Sequence, residues 1–306
     1  MLAAGVGHAV RMLIRPAVPE DAAARAALAA VCHPHVLVSE RMIRYFLPDP
    51  ALRRASVVAE VDGRVVGSGS VELEVMDRTT AAETISVAVD ARRRGVGSAI
   101  HAALAEHLAT LPATRLKGRV TGPEGRAFAE AHGFTPGRVW RISGTDPRQA
   151  PPVPRIPEGI TLTPLAAVED LAPVYELYRE CGADMPGRER GPGFSYEDWL
   201  KFAVNSPVAD RDCSIVAYDG DVPVALTFIN SDGDRAFNSL AGTARDHRGK
   251  GLGRLVKAVS LHKVAAKGVM SVYTANTEDN AAMLAVNTWL GYRPALEELT
   301  MVRPVG

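Results

Sequence analysis

A glycine loop that occurs twice constrains this chain of 306 residues more than any other feature. Both copies have the form Arg-x-x-Gly-x-Gly, and about half of the chain separates them. The first copy is Arg92-Arg93-Arg94-Gly95-Val96-Gly97-Ser98, and the second is Arg248-Gly249-Lys250-Gly251-Leu252-Gly253-Arg254. A long-period repeat of this kind predicts two related units rather than one.

Each loop opens a segment with helical spacing of apolar residues, such as Ile100, Leu104 and Leu108 after the first loop. Closely spaced glycines let backbone amides approach a ligand together. The first helical turn adds unpaired N–H groups and the positive end of the helix dipole. The two loops therefore predict binding of a diphosphate-bearing cofactor, once in each half.

The rest of each half repeats the same order of elements. A short strand and a helix come first, followed by apolar strands with turns at Asp62-Gly63 and Asp219-Gly220, which favour hairpins. Five prolines between positions 147 and 157 indicate a stiff spacer. We therefore predict an α/β fold with two tandem domains, 12–146 and 158–306, each a central mixed sheet flanked by helices and joined by the linker 147–157.

The composition excludes several classes of partner. The formal net charge is zero, so no global field favours nucleic acid. No apolar stretch reaches the length of a membrane span, and three cysteines do not make a disulfide framework. The run Cys32-His33-Pro34-His35 lacks a partner cluster for a metal, so we predict no metal. We expect a cytoplasmic monomer or homodimer with no nucleic-acid or membrane partner.

The order of elements resembles the GNAT superfamily of acetyl-CoA-dependent N-acetyltransferases. The second half carries the fuller motifs: its loop follows Thr243-Ala244-Arg245, and Asn280 opens a last helix that closes at Gly291-Tyr292. The tandem arrangement is similar to the two-domain actinobacterial group of mycothiol synthase. In that group the second domain usually carries the activity, so the resemblance implies catalysis in the second half.

The resemblance also implies where acetyl-CoA binds. In the second half Asn280 would contact the pantetheine arm, but Gly122 stands at the equivalent position of the first half. The implied cofactor-binding residues are Val87, Val89, Arg92, Arg93, Arg94, Gly95, Val96, Gly97, Ser98, Thr243, Ala244, Arg245, Arg248, Gly249, Lys250, Gly251, Leu252, Gly253, Arg254, Asn276 and Asn280.

The catalytic groups that the resemblance implies are incomplete. Glu83 resembles a base that some family members place on the strand before the loop, whereas Ser239 stands there in the second half. Asn287 and Ala129 occupy the position of a tyrosine that often protonates the thiolate, and neither side chain is a general acid. Candidate bases of the second half are Glu278, Asp279, Asp232, Asp234 and His247.

The implied reaction is direct transfer of acetyl from acetyl-CoA to a small-molecule primary amine. One alternative is a non-catalytic protein that binds or senses acyl-CoA, and another is catalysis in the first half with Glu83 as base. The dinucleotide fingerprint requires a third glycine where Ile100 and Val256 stand. A P-loop requires Gly-Lys-Ser/Thr, which Gly249-Lys250-Gly251 does not provide.

Overall fold

A computed structural model describes residues 12–186 and 193–306 of the chain. The fold is α/β, as the sequence predicts. Its strands are β1 (Met12–Pro16), β2 (Ala55–Val61), β3 (Arg64–Leu73), β4 (Thr80–Val87), β5 (Arg115–Thr121), β6 (Thr135–Thr145), β7 (Ile160–Pro164), β8 (Ile215–Asp219), β9 (Val222–Asp232), β10 (Arg235–Thr243), β11 (Ser271–Asn276) and β12 (Arg293–Pro304).

Helices cover both faces of these strands. They are α1 (Ala22–Cys32), α2 (Glu40–Phe46), α3 (Val96–Leu108), α4 (Gly122–Ala131), α5 (Ala172–Ala183), α6 (Tyr196–Trp199), α7 (Leu252–Ala266) and α8 (Ala281–Trp289). Among the residues that the structure describes, no helix is long and apolar enough to cross a membrane.

The two halves share one sheet because they exchange their closing strands. The strand order is β1-β2-β3-β4-β5-β12-β6-β11-β10-β9-β8-β7. Strand β12 of the second half pairs with β5 of the first, and β6 of the first half pairs with β11 of the second. The two mixed sheets of the prediction are therefore joined into a single twelve-stranded sheet. The domain boundary near the linker stays a prediction.

A wedge-shaped opening lies in each half between two parallel strands. Strand β4 pairs with β5 only over Thr80–Glu83, and β10 pairs with β11 only over Arg235–Asn238. Beyond these positions the strands diverge, which leaves the backbone groups of one edge of β4 and of β10 without a strand partner. We call these openings the first cleft and the second cleft. A β-bulge at Ser239 adds to the divergence in the second half.

The hairpin turns follow the backbone that their residues prefer. Asp62 and Gly63 both have positive φ, at 50° and 76°, as a type I′ turn requires. In the second hairpin Asp219 pairs with Val222, so the two turn residues are Gly220 and Asp221. Gly220 has a φ of 58°, which is the sign at the first position of a type II′ turn.

Close packing of α3 on β3 depends on two glycines. A Cβ at Gly67 would lie 2.8 Å from both Ile100 and Val96, and a Cβ at Gly69 would overlap Ile100 directly. Ile100 and Leu104 are fully buried at this contact. The helix that follows the first loop therefore lies against the sheet at a distance that only glycine permits.

We expect Gly69→Ala to lower the free energy of unfolding by about 2 kcal/mol, because the added methyl group forces Ile100 and the backbone to shift. Thermal or urea unfolding measures the loss. Gly118→Ala is the control, since its Cβ would meet nothing closer than 3.7 Å. Equal losses in both variants would contradict the close-packing account.

Candidate active site

The two glycine loops have the same backbone conformation. Gly95 and Gly251 precede α3 and α7 with φ values of 81° and 80°. Two residues earlier, Arg93 has a φ of 60° where Gly249 has 77°. The left-handed region costs a residue with a side chain about 1 kcal/mol, so the first loop keeps this shape against a local penalty. Both loops therefore form a cradle of N–H groups that fits a diphosphate.

The first arginine of each loop ties the loop to the preceding strand. Arg92 Nε donates to the Val87 carbonyl and Arg248 Nε donates to the Thr243 carbonyl, both at 3.2 Å. In the second half Arg245 and Arg248 also pair with Asp184, which holds the pKa of that carboxyl well below its usual range. Asp184 thus offsets one of the positive charges predicted for the second loop.

The remaining predicted loop residues divide into exposed and structural positions. Val96 and Leu252 are buried first residues of α3 and α7, and Arg254 lies over the Trp289 ring at 4.7 Å. Gly97 and Gly253 lie in the first helical turns, where a Cβ at Gly97 would lie 3.0 Å from the Phe128 ring. The exposed residues are Val89, Arg93, Arg94, Gly95, Ser98, Gly249, Lys250, Gly251 and Arg254.

Only some of the predicted backbone donors face the clefts. The N–H groups of Ala88 and Ala244 donate to Val66 and Val224 in the neighbouring strands, at 2.8 Å. The Arg245 N–H donates to Glu180. Because successive residues of a strand direct their N–H groups to opposite edges, the N–H groups of Val87 and Thr243 point into the clefts.

Glu83 lies at the point where the first cleft opens. It is the last residue of β4 that pairs with β5, opposite Gly118. Its carboxylate contacts His101 Nδ1 of α3 at 2.9 and 3.0 Å, and its side chain is only 7% exposed. The structure therefore places a carboxylate and an imidazole side by side on the floor of the cleft.

Aromatic residues of α4 and its closing turn continue this floor. The His101 ring lies 4.8 Å from His132 and 6.2 Å from Phe134, and Phe128 lies 4.3 Å from His132. His132 Nδ1 donates to the Phe128 carbonyl at 2.8 Å. The tautomer of neutral His132 is thereby fixed, with Nε2 as the free acceptor.

The equivalent floor of the second cleft carries different chemistry. Ser239 replaces Glu83 and donates to the Phe228 carbonyl within the bulge. Lys257 occupies the place of His101, and its Nζ donates to Asn287 Oδ1 at 2.6 Å. Asn287 Nδ2 in turn donates to Asn276 Oδ1 at 2.7 Å, at the end of β11. Asn287 thus links a buried lysine to the cleft and is itself 2% exposed.

Burial shifts the pKa values of two residues on the floor of the second cleft, Lys257 and Tyr292. Lys257 is 2% exposed, and burial lowers its pKa to about 7. Its ammonium lies 5.1 Å from the centre of the Tyr292 ring, and burial raises the pKa of Tyr292. Within the described residues no carboxylate pairs with Lys257, so its charge is stabilised only by amide and ring contacts.

The five bases predicted for the second half occupy exposed or half-exposed positions, Asp234 and Asp279 among them. Glu278 is 76% exposed and pairs with Arg141 of β6. His247 contacts Asp219, and Asp232 contacts Arg41 of the first half. Asn280 caps α8, where its Oδ1 accepts from the Met283 N–H at 3.3 Å. None of these contacts places a proton acceptor beside the Thr243 N–H.

Sequence reasoning missed His101, His132 and Lys257. His101 and Lys257 occupy equivalent positions one turn into the two loop helices, on faces that also carry buried apolar residues such as Leu104 and Leu261. A titratable residue on the apolar face of a helix was the available signal. No group of three or more potential metal ligands occurs in the described ranges 12–186 and 193–306.

Comparison with protein families gives a match in the first half. A family model described as an acetyltransferase (GNAT) domain matches residues 53–136. This range includes β2 to β5, the first loop, α3 and α4. The match lies in the first half, which has Gly122 where the second half has Asn280.

Relatives and solved structures extend the likeness to both halves. The mycothiol acetyltransferase of Kytococcus sedentarius is 28% identical over 273 residues, which cover 82% of this chain and 83% of the relative. The protein of the same name from Nocardia farcinica is 27% identical, covering 84% and 85%.

Two solved structures share the fold over almost the whole chain. A tandem GNAT protein from the clavulanic acid biosynthesis pathway has a TM-score of 0.74 at 22% identity, covering 97% of this chain and 99% of its own. A GCN5-related N-acetyltransferase from Sphaerobacter thermophilus has a TM-score of 0.71 at 19% identity, covering 96% and 95%.

Proposed function

We propose that this chain is a tandem member of the GNAT acetyltransferase superfamily and that it acetylates a small-molecule primary amine from acetyl-CoA, with its first half as the catalyst. The observation that carries this choice is the Glu83–His101 pair on the floor of the first cleft. The pair lies below a loop that keeps its cradle shape despite a left-handed Arg93.

The chemistry needs a group that removes a proton from the amine. A free alkylamine has a pKa of about 10, so it is mostly protonated at neutral pH. A carboxylate oriented by an imidazole can accept that proton when the amine approaches the cleft. Glu83 accepts the proton in this proposal, while His101 fixes the direction of its carboxylate.

The backbone and the loop provide the other functions. Acetyl-CoA supplies the thioester when it is bound, and the cradle of Arg92–Ser98 fits its diphosphate. The N–H of Val87 points into the cleft, where it can stabilise the developing oxyanion. A thiol has a pKa of about 8.5, so the thiolate can leave without a dedicated acid where Ala129 replaces tyrosine.

Catalysis in the second half is the competing proposal. It is favoured by the bulge at Ser239, which adds to the divergence of the second cleft, and by the glycine at position 249. Against it, the described part of that cleft holds serine, lysine and asparagine where the first holds glutamate and histidine. The glycine- and proline-rich segment 185–193 has no counterpart in the first half, and its sequence predicts a loop that helps to shape the acceptor pocket or a plain surface loop; its residues 187–192 lie outside the described residues.

The acceptor class in this proposal is a small molecule. The relatives named mycothiol acetyltransferase support it, since that name specifies a small-molecule product. A panel of primary amines, assayed by release of the CoA thiol, tests the proposal. Transfer to at least one small amine supports it, and acetylation confined to protein substrates would contradict it.

Matched charge substitutions separate the two halves. Ser98 and Arg254 occupy equivalent exposed positions in the first turns of α3 and α7. We expect Ser98→Asp to raise the KM for acetyl-CoA about tenfold or more, because the carboxylate repels the diphosphate while favouring the helix N-terminus. Arg254→Asp puts a carboxylate at the equivalent position of the second half, and although it shifts the charge by two units rather than one, it should leave the KM within about twofold. The reverse ranking would assign the chemistry to the second half.

A further inference from the structure

The loop after α1 covers part of the open edge of β4 in the first cleft. Cys32 Sγ donates to the Val87 carbonyl at 3.5 Å, beside the Arg92 Nε that donates to the same oxygen. The partly buried His33 imidazole lies close to the backbone of Ile85. Because Ile85 and Val87 both direct their backbone groups away from β3, these contacts lie along the edge that lines the cleft.

These contacts affect what the edge can offer a ligand. A strand edge without a partner normally presents both N–H donors and carbonyl acceptors. Cys32 and Arg92 occupy the Val87 carbonyl, so its acceptor capacity is taken while its N–H stays directed into the cleft. An edge with engaged carbonyls favours a ligand with carbonyl oxygens, such as a thioester and the amides of a pantetheine arm.

The same loop is anchored by a carboxylate from the other half of the chain. His35 Nε2 lies 2.9 Å from Glu298 Oε2, and the two side chains are 2% and 4% exposed. Arg119 of β5 donates to the second oxygen, Glu298 Oε1, at 3.3 Å. Glu298 belongs to β12, the strand that the second half inserts beside β5. The exchange of strands therefore delivers a buried carboxylate to the first cleft.

The charges of this cluster favour the anchored state. Burial alone would raise the pKa of Glu298, but the hydrogen bond from His35 and the charge of Arg119 offset it, so that its pKa lies below the usual range. Burial and the neighbouring His35 lower the pKa of His33, which favours a neutral imidazole there. An ionised carboxylate thus holds His35, while His33 contacts the edge without bringing a charge.

We propose that Glu298 is a positioning residue of the first-half site, which acts through His35 to hold the Cys32–His35 loop on the open edge of β4. The proposal rests on catalysis in the first half. Glu298 does not touch the reacting atoms in this account. Glu298 keeps the open edge of β4 with its Val87 carbonyl engaged and its Val87 N–H available to acetyl-CoA. Since Glu298 comes from the second half, neither half forms the site alone.

Three variants test this role through the KM for acetyl-CoA. Glu298→Leu removes the anchor and should raise that KM about tenfold, whereas Glu298→Gln keeps an oxygen that accepts from His35 and should stay within about threefold of the wild type. His33→Ala removes the imidazole beside Ile85 while leaving the His35–Glu298 pair in place, and it should raise the KM about fivefold, which keeps the test valid if Glu298→Leu does not fold.

Thermal unfolding of each variant controls for a purely structural effect. Such an effect would lower the melting temperature and the amount of active enzyme without changing the KM of the folded fraction. Unchanged KM values in folded Glu298→Leu and His33→Ala would overturn the proposal, provided that Glu83→Gln lowers kcat about 100-fold. If Glu83→Gln keeps the wild-type kcat, the proposed catalysis in the first half itself fails, which is a different outcome.

Discussion

Replacing Glu83 with glutamine should lower kcat about 100-fold or more, with the KM for acetyl-CoA within a few-fold of the wild type. Glutamine keeps the size of the side chain and a hydrogen-bond partner for His101, but it cannot accept the proton of the amine. Initial rates of CoA release, measured across a range of pH with one amine from the panel, give both parameters. The loss should be largest where the wild-type carboxylate is ionised.

Two further substitutions serve as matched controls for Glu83→Gln. Ser239→Ala changes the equivalent position of the second cleft and should leave kcat unchanged. Glu278→Gln removes an exposed carboxylate that pairs with Arg141 at the protein surface, and it should also have no effect on kcat. Full activity of Glu83→Gln, combined with a loss in either control, would place the base in the second half.

The buried lysine of the second half should make stability depend on pH in the alkaline range. The pKa of Lys257 lies at about 7 in the folded chain, against 10.5 for an ordinary lysine. Between these values the unfolded state binds more protons, so the free energy of unfolding rises with pH. Integration from pH 7 to pH 9 gives a gain of about 2 kcal/mol from this residue.

Urea unfolding of the wild type and of Lys257→Met at pH 7 and pH 9 isolates this contribution. Methionine fills a similar volume without a charge. The substitution also removes the hydrogen bond from Lys257 Nζ to Asn287 Oδ1, and this loss is the same at both pH values. Burial raises the pKa of Cys181 and Cys213 to about 12, which lowers the free energy of unfolding above pH 9 by the same amount in both proteins. Parallel pH dependences in the two proteins would show that Lys257 does not titrate in this range.

Features governed by the local backbone could be predicted from the sequence. Gly95 and Gly251 adopt the left-handed conformation that their place before a helix requires, and Asp62-Gly63 forms the expected hairpin turn. The repeat of elements also survives in both halves, because each strand and helix follows from its own apolar period. These features are determined by the backbone preferences and apolar spacing of residues that lie within about ten positions of each other.

Features that depend on pairing between distant strands could not be predicted in this way. Strands β6 and β12 each join the sheet of the other half, and no local pattern distinguishes this exchange from closure within one half. The contact between Glu298 and His35 follows from the exchange, so it was equally hidden. His101 and Lys257 could not be assigned to the clefts from the sequence. Whether a helix residue reaches the floor of a cleft depends on which face of the helix packs on the sheet, and that packing is set by distant strands.

The crystal structure of the protein with CoA bound tests the central claim most directly. We predict CoA in the first cleft, with its diphosphate on the loop of Arg92–Ser98 and its sulfur near Glu83. Occupation of the second cleft as well would not disturb this assignment, since both loops have the same cradle. A first cleft that stays empty at saturating CoA, with the second cleft filled, would contradict it.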